Sequence, residues 1–119
     1  MAKQDYEGGC HCGAVRYRAA LDLEQPVVVC NCSHCQIKGL MLSFTPVAEF
    51  AVTKGEDQLT EYRFNKKKLA HLFCKVCGVQ GFARGTGPGG AEMAAVNVRT
   101  VDGVDINALP IKEVNGREF

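Results

Sequence analysis

The sequence lacks any apolar run that approaches the roughly 20 residues of a membrane-spanning helix. Its C-terminus ends in none of the lipidation motifs, and its polar start, residues 1–7, lacks the apolar core of a signal peptide. These absences argue against a membrane partner. They predict a cytoplasmic protein, in a compartment where disulfides are rare.

Long helical patterns are also missing, because turn-forming residues interrupt every helical period within about ten residues. Alternating apolar residues at Val15, Tyr17 and Ala19, and the short apolar run 27–29, predict strands instead. The chain has no linker, internal repeat or low-complexity tract. We therefore expect an all-β fold, with residues 1–119 as one domain of roughly seven to nine short strands in two packed antiparallel sheets.

An excess of charge of either sign is absent as well, since the formal net charge is +1. The densest basic segment, residues 66–68, is short and has no interleaved aromatic residues, so we expect no nucleic-acid partner. The segment is typical of a solvated loop. Alternatively, it could form with Arg84 a positively charged patch that binds an anionic small molecule. The glycine-rich residues 85–90 lack the Lys-Ser/Thr of a phosphate-binding loop and predict a hairpin connection, with a mobile flap as the alternative.

Cysteine is what the sequence has in quantity, with seven residues in three tight groups. Two cysteines separated by one residue make a strained mutual disulfide. On an extended strand, however, their side chains project to the same face and can reach one metal ion. An odd number of cysteines also fits a disulfide framework poorly. The pattern predicts zinc rather than disulfides, and seven thiolates with two Zn²⁺ ions would lower the formal charge to about −2.

The seven cysteines divide into four and three. A closed tetrahedral site needs two pairs, and Cys10/Cys12 with Cys74/Cys77 supply them from distant parts of the chain. The remaining three lie within six residues and could surround a second ion that keeps one position open: Cys30, Cys32 and Cys35. Spacing alone also permits the pairs to be exchanged between the two ions.

Three histidines accompany these groups. His34 lies inside the three-cysteine segment, where its ring would have to fold back onto an ion held by both flanking sulfurs, so we expect it to point elsewhere. His11 should point away from the first site. His71, in an apolar run, is typical of a buried structural histidine, with a place beside the site as the alternative.

These motifs resemble those of the glutathione-dependent formaldehyde-activating enzyme family, which includes relatives of centromere protein V. The resemblance covers most of the chain and lies in four segments: Gly8-Gly9-Cys10-His11-Cys12-Gly13, Cys30-Asn31-Cys32-Ser33-His34-Cys35, Phe73-Cys74-Lys75-Val76-Cys77-Gly78, and Val96-Asn97-Val98-Arg99 with Asp102-Gly103. It implies a zinc-dependent β-fold shared with Rab-binding guanine nucleotide release factors. It also implies a structural zinc on Cys10, Cys12, Cys74 and Cys77 and a catalytic zinc on Cys30, Cys32 and Cys35.

By the same resemblance, the reaction is the addition of a small thiol, glutathione as co-substrate, to formaldehyde or a similar electrophile, in the carbon–sulfur lyase class. Three thiolates more than neutralise Zn²⁺ and favour activation of an external thiol over hydrolysis by water. Two other functions fit the cysteines: a non-catalytic zinc module for protein or chromatin partners, and a zinc-thiolate redox sensor. The sequence leaves the oligomeric state open.

Overall fold

The computed structural model describes residues 3–63, 69–86 and 90–115. Ten strands and one short α-helix occupy these ranges. The strands are β1 Gln4–Gly9, β2 Arg16–Leu21, β3 Val27–Cys30, β4 Leu42–Pro46, β5 Phe50–Lys54, β6 Leu59–Tyr62, β7 Leu69–Cys74, β8 Gln80–Thr86, β9 Glu92–Asn97 and β10 Ile111–Val114. The helix, α1, spans Ser33–Lys38.

The strands form two sheets. The smaller has the order β1-β2-β5, and the larger has the order β10-β3-β4-β9-β8-β7-β6. Every pairing is antiparallel except that of β10, which lies parallel to β3. The all-β expectation is confirmed, and the parallel edge strand is the one departure from two antiparallel sheets.

One hydrophobic core joins the two sheets. Strand β2 buries alternate residues, as its sequence pattern predicts, and β8 is buried along most of its length because it lies inside the larger sheet. The rings of Tyr17, Phe50 and Phe82 meet at the centre, with centroids 4.6–6.2 Å apart. Burying each such ring stabilises the fold by about 1.5–3 kcal/mol.

Helix α1 connects β3 to the rest of the larger sheet. Cys32 caps its N-terminus, since the Cys32 sulfur accepts a hydrogen bond from the Cys35 amide. Gly39 ends it with a φ of 69°, which lets the Gly39 and Leu40 amides donate to the Cys35 carbonyl. The second half of the three-cysteine segment, from Cys32 to Cys35, forms the first turn of this helix.

Two sequence expectations concern residues that the structure does not describe in full: the basic segment 66–68 lies wholly outside the described residues, and the glycine-rich connection 85–90 lies partly outside them. The second is nevertheless flanked by the antiparallel neighbours β8 and β9, as a hairpin requires. Across the parts of the chain that the structure describes, no helix is long and apolar enough to cross a membrane.

Gly8 on β1 provides a test of how closely the small sheet packs. A Cβ atom at Gly8 would lie 2.4 Å from the Thr100 carbonyl oxygen and 2.5 Å from the Tyr17 hydroxyl. We expect Gly8→Ala to lower the free energy of unfolding by about 2 kcal/mol or more, because backbone and a buried ring would have to move. Chemical denaturation of the zinc-loaded protein measures the effect.

Gly103→Ala is the matched control. Gly103 has a φ of +75°, but a Cβ atom added there would meet nothing within 4 Å, so the substitution should cost only the roughly 1 kcal/mol of a left-handed backbone. Equal decreases in the free energy of unfolding of Gly8→Ala and Gly103→Ala would contradict the close packing at Gly8.

Candidate metal centres

The first sulfur group joins two turns that belong to different sheets. Cys10 and Cys12 lie in the turn between β1 and β2, whereas Cys74 is the last residue of β7 and Cys77 lies in the turn that follows it. The four sulfurs lie within 4.8 Å of one another. The group therefore brings together the two pairs that the sequence suggested, from opposite halves of the chain.

Backbone amides surround these sulfurs. The Val15 amide donates to the Cys10 sulfur at 3.3 Å, and the Val76 and Cys77 amides donate to the Cys74 sulfur at 3.3 and 3.5 Å. Amide donors of Val79 and Cys12 lower the pKa of the Cys77 thiol to about 6. Such amides favour thiolates, which are the form that binds a metal ion. At Cys12 the Ala14 amide acts in the same direction, but burial and the neighbouring thiols outweigh it and raise the pKa to about 11.

The spacing of the sulfurs fits a tetrahedral ion. Cys10 and Cys12 have sulfurs 3.7 Å apart, as do Cys12 and Cys74. A tetrahedron with metal–sulfur bonds of about 2.3 Å has edges of about 3.8 Å. Disulfide bonds are about 2.05 Å long, and all seven cysteines are free, so the disulfide alternative is wrong for this structure.

The second group consists of Cys30, Cys32 and Cys35, whose sulfurs also lie within 4.8 Å of one another. Cys30 is the last residue of β3, Cys32 caps α1, and Cys35 lies in the helix. No other His, Cys, Asp or Glu joins either group within residues 3–63, 69–86 and 90–115, and no pair is exchanged between them. The structure therefore groups the seven cysteines into four and three, as the sequence predicts.

Electrostatics at the second group call for a cation. Burial raises the pKa of the Cys35 thiol well above its usual range, and the adjoining Cys32 thiol raises it further. Three thiolates at this spacing would repel one another in a partly desolvated setting. A divalent soft-metal ion such as Zn²⁺ removes that repulsion, so the donor set fits the metal that the sequence predicts.

A cavity of about 500 Å³ borders this group, and Cys30 and Cys35 form part of its wall. The rest of the wall comes from the C-terminal half of α1 and from the ends of β3 and β10. A small molecule in this cavity would approach two of the three sulfurs. The sequence does not predict this cavity, because β10 joins its wall only through the long-range pairing with β3.

The two inner histidines lie side by side. The ring centroid of His34 is 4.0 Å from that of His71 and 5.6 Å from that of Tyr62. His71 is buried, with the Gln80 side-chain amide 3.4 Å from its Nδ1 atom. His34 therefore faces β6 and β7 rather than joining the sulfurs, and His11 is exposed, as expected.

Several residues that the sequence did not single out individually hold α1 in place. Lys38 donates to the Gln80 side-chain oxygen at 2.8 Å and lies over the Phe73 ring. Arg99 donates from Nε to the Gly39 carbonyl at 2.9 Å, and Asn97 donates to the Gln80 carbonyl at 2.9 Å. The Val96–Arg99 motif thus ties the end of β9 to the helix that carries Cys35.

Arg84, a candidate for steering an anionic substrate, lies elsewhere. Its guanidinium packs over the Phe82 ring and lies 3.8 Å from the Glu56 carboxylate, in a second groove that none of the cysteines lines. Arg84 is therefore not a wall residue of the cavity beside Cys30 and Cys35.

Comparison with known proteins agrees with this geometry. The family described as glutathione-dependent formaldehyde-activating enzyme matches residues 5–114. The fold is also similar to the crystal structure of a Rhodobacter sphaeroides protein solved in a structural genomics programme. The TM-score is 0.77 and the identity 28%, over 89% of this chain and 99% of that one. The chain belongs to the glutathione-dependent formaldehyde-activating enzyme family.

The number of zinc ions bound per chain tests the assignment of the cysteines to two groups. We expect two zinc ions per chain in the wild type and one in Cys32→Ala, with the fold retained, because α1 keeps its contacts with β7, β8 and the segment after β9. Cys74→Ala should also lose one ion. It should lower the melting temperature more, because its group links the two sheets.

Elemental analysis by mass spectrometry, with circular dichroism on the same samples, measures both effects. Loss of both ions from Cys32→Ala, or collapse of its β-sheet signal, would contradict the assignment of Cys32 to the smaller group.

His71 predicts a pH dependence of stability. Burial lowers its pKa to about 4, and the nearby His34 and Lys38 contribute to the lowering, whereas the unfolded value is about 6.5. The unfolded state therefore binds the proton more tightly, so stability is complete above about pH 6.5 and is lost as the pH falls toward 4. The variant His71→Phe should show a weaker loss over that interval.

Denaturation at fixed zinc concentration between pH 7 and 4 gives the comparison, with His11→Phe as the control for an exposed histidine. Zinc content measured on the same samples separates acid release of zinc from the titration of His71. If the free energy of unfolding falls with pH as steeply in His71→Phe as in the wild type, the interpretation of His71 as a buried, neutral ring is contradicted.

Proposed function

We propose that this family member joins a small-molecule thiol, glutathione in the first instance, to formaldehyde. The thiol sulfur forms a bond to the carbonyl carbon, the carbonyl π bond breaks, and the thiol proton ends on the oxygen, giving S-hydroxymethylglutathione. This chemistry is of the carbon–sulfur lyase type. We further propose that residues 1–119 act as one domain in the cytoplasm, a location with which seven free thiols are compatible.

The observation that carries the proposal is the cavity beside an incomplete set of sulfur ligands. Cys30, Cys32 and Cys35 offer three donors, and the described residues add no fourth. We assign the catalytic zinc to these three and the structural zinc to Cys10, Cys12, Cys74 and Cys77. A zinc ion held by three thiolates would supply an open position at which an external thiol binds and loses its proton.

The protein's own contribution to the reaction is to position the three cysteines and the two substrates. The Cys35 amide holds the Cys32 sulfur, while Lys38 and Arg99 fix the helix against β8 and the segment after β9. The cavity of about 500 Å³ is within the range of small-molecule sites, ~300–1,000 Å³. Holding thiol and aldehyde together there removes much of the entropic cost of a bimolecular addition.

The test is the rate of thiol addition, measured by exchange NMR with ¹³C-formaldehyde and glutathione above the spontaneous reaction. We expect the wild type with both zincs to accelerate exchange and Cys32→Ala to leave only the spontaneous rate. His11→Ala, altered at an exposed residue of the other turn, should keep the wild-type rate. Calorimetry should show glutathione binding to the wild type.

An unchanged rate in the presence of fully zinc-loaded wild-type protein would overturn the proposal. So would an acceleration that Cys32→Ala retains in full. In the first case a non-catalytic zinc module, open to protein partners, would become the better account of the same fold. In the second case catalysis would not depend on Cys32.

A further inference from the structure

The cavity beside the three-cysteine group has an ordered wall on the side away from α1. Strand β10 lies parallel to β3 with Val114 opposite Cys30. The Asn31 amide donates to the Val114 carbonyl at 3.1 Å, and the Asn31 side chain donates to the Asn115 side-chain oxygen at 2.9 Å. The end of β10 is thus held against the strand that carries Cys30.

Glu113, on the same strand, contributes the only charged side chain among the described residues that line the cavity. The other polar side chains of the wall, apart from the two thiols, are neutral amides: Asn31, Gln36 and Asn115. Among the described residues, Lys38 donates to Gln80 and Arg99 to the Gly39 carbonyl, and Lys112, which precedes Glu113 on β10, does not line the cavity.

The electrostatic character of this wall is therefore negative. Glu113 supplies the one formal charge on the described part of the wall. The three thiolates of Cys30, Cys32 and Cys35 more than neutralise a divalent ion. Each of these features favours a cation over an anion in the cavity.

We infer that Glu113 makes the cavity selective for thiols that carry a primary ammonium group, such as an amino acid, a peptide with a free amino terminus or a simple aminothiol. The reacting thiol itself rests on the proposed function, whereas the recognition of the ammonium group does not. Glu113 is a specificity-determining residue, and thiols whose charged groups are phosphates should bind poorly.

Binding of S-methylated ligands separates recognition from reaction, because a thioether has no proton to lose. We would titrate ¹⁵N-labelled, zinc-loaded protein with S-methylglutathione and with its N-acetylated form, following the side-chain amide signals of Asn31, Gln36 and Asn115. S-methylglutathione should shift these signals and bind about five-fold more tightly than the N-acetylated ligand, as expected of one partly exposed ion pair.

Glu113→Gln keeps the shape of the side chain and should abolish the five-fold preference. The control, Glu7→Gln, changes an exposed carboxylate on β1 of the smaller sheet and should preserve it. Added salt should weaken the preference in the wild type. S-methylcysteamine, which has the ammonium but no carboxylate, should also shift the three amide signals.

Equal binding of the free and N-acetylated ligands, or a preference that survives Glu113→Gln, would overturn the inference even if thiol addition to formaldehyde is catalysed. If the preference depends on Glu113 and no catalysis is found, recognition of the ammonium group stands and the proposed reaction fails.

Discussion

The repulsion between thiolates held a few ångströms apart is the constraint on which the rest of the structure depends. The Cys12 sulfur lies 3.7 Å from those of Cys10 and Cys74, a separation far too long for a covalent bond and close to the edge of a metal–sulfur tetrahedron. Backbone amides offset part of the charge, as at Cys77. A divalent ion would offset the remainder, and its bonds would hold two segments from different sheets in one place. Fold and metal would then stabilise each other, as they do in small zinc domains.

The two sulfur groups use the same chemistry in different surroundings. The first is built on two β-turns, each with its own amide donors, and four sulfurs complete a tetrahedron. The second is built on a strand end and the first turn of α1, so its three sulfurs come from only six consecutive residues. A segment this short would cover one side of an ion and leave the other side toward the cavity. The number of separate chain segments that contribute sulfurs therefore distinguishes the two groups.

Local features of the site could be predicted from the sequence, and features that depend on distant pairing could not. Cys30, Cys32 and Cys35 are close in the chain, so their spacing alone brought them together. The pairing of Cys10/Cys12 with Cys74/Cys77 was correct because a closed tetrahedron needs two pairs. The parallel pairing of β10 with β3 gave no sequence signal, so neither the cavity nor the position of Glu113 could be foreseen. His34 and His71 were considered singly, since their contact requires α1 to pack on β7.

The way α1 is held explains how a six-residue helix can carry part of the three-cysteine group. A helix this short is not stable by itself in water. Here the side chains of Lys38 and His34, four residues apart and hence on one face, pack against Phe73 and His71 of β7. Arg99 holds the Gly39 carbonyl at the C-terminal end. One face of the helix is thus fixed to the sheet, so Cys35 on another face can border the cavity without losing its position.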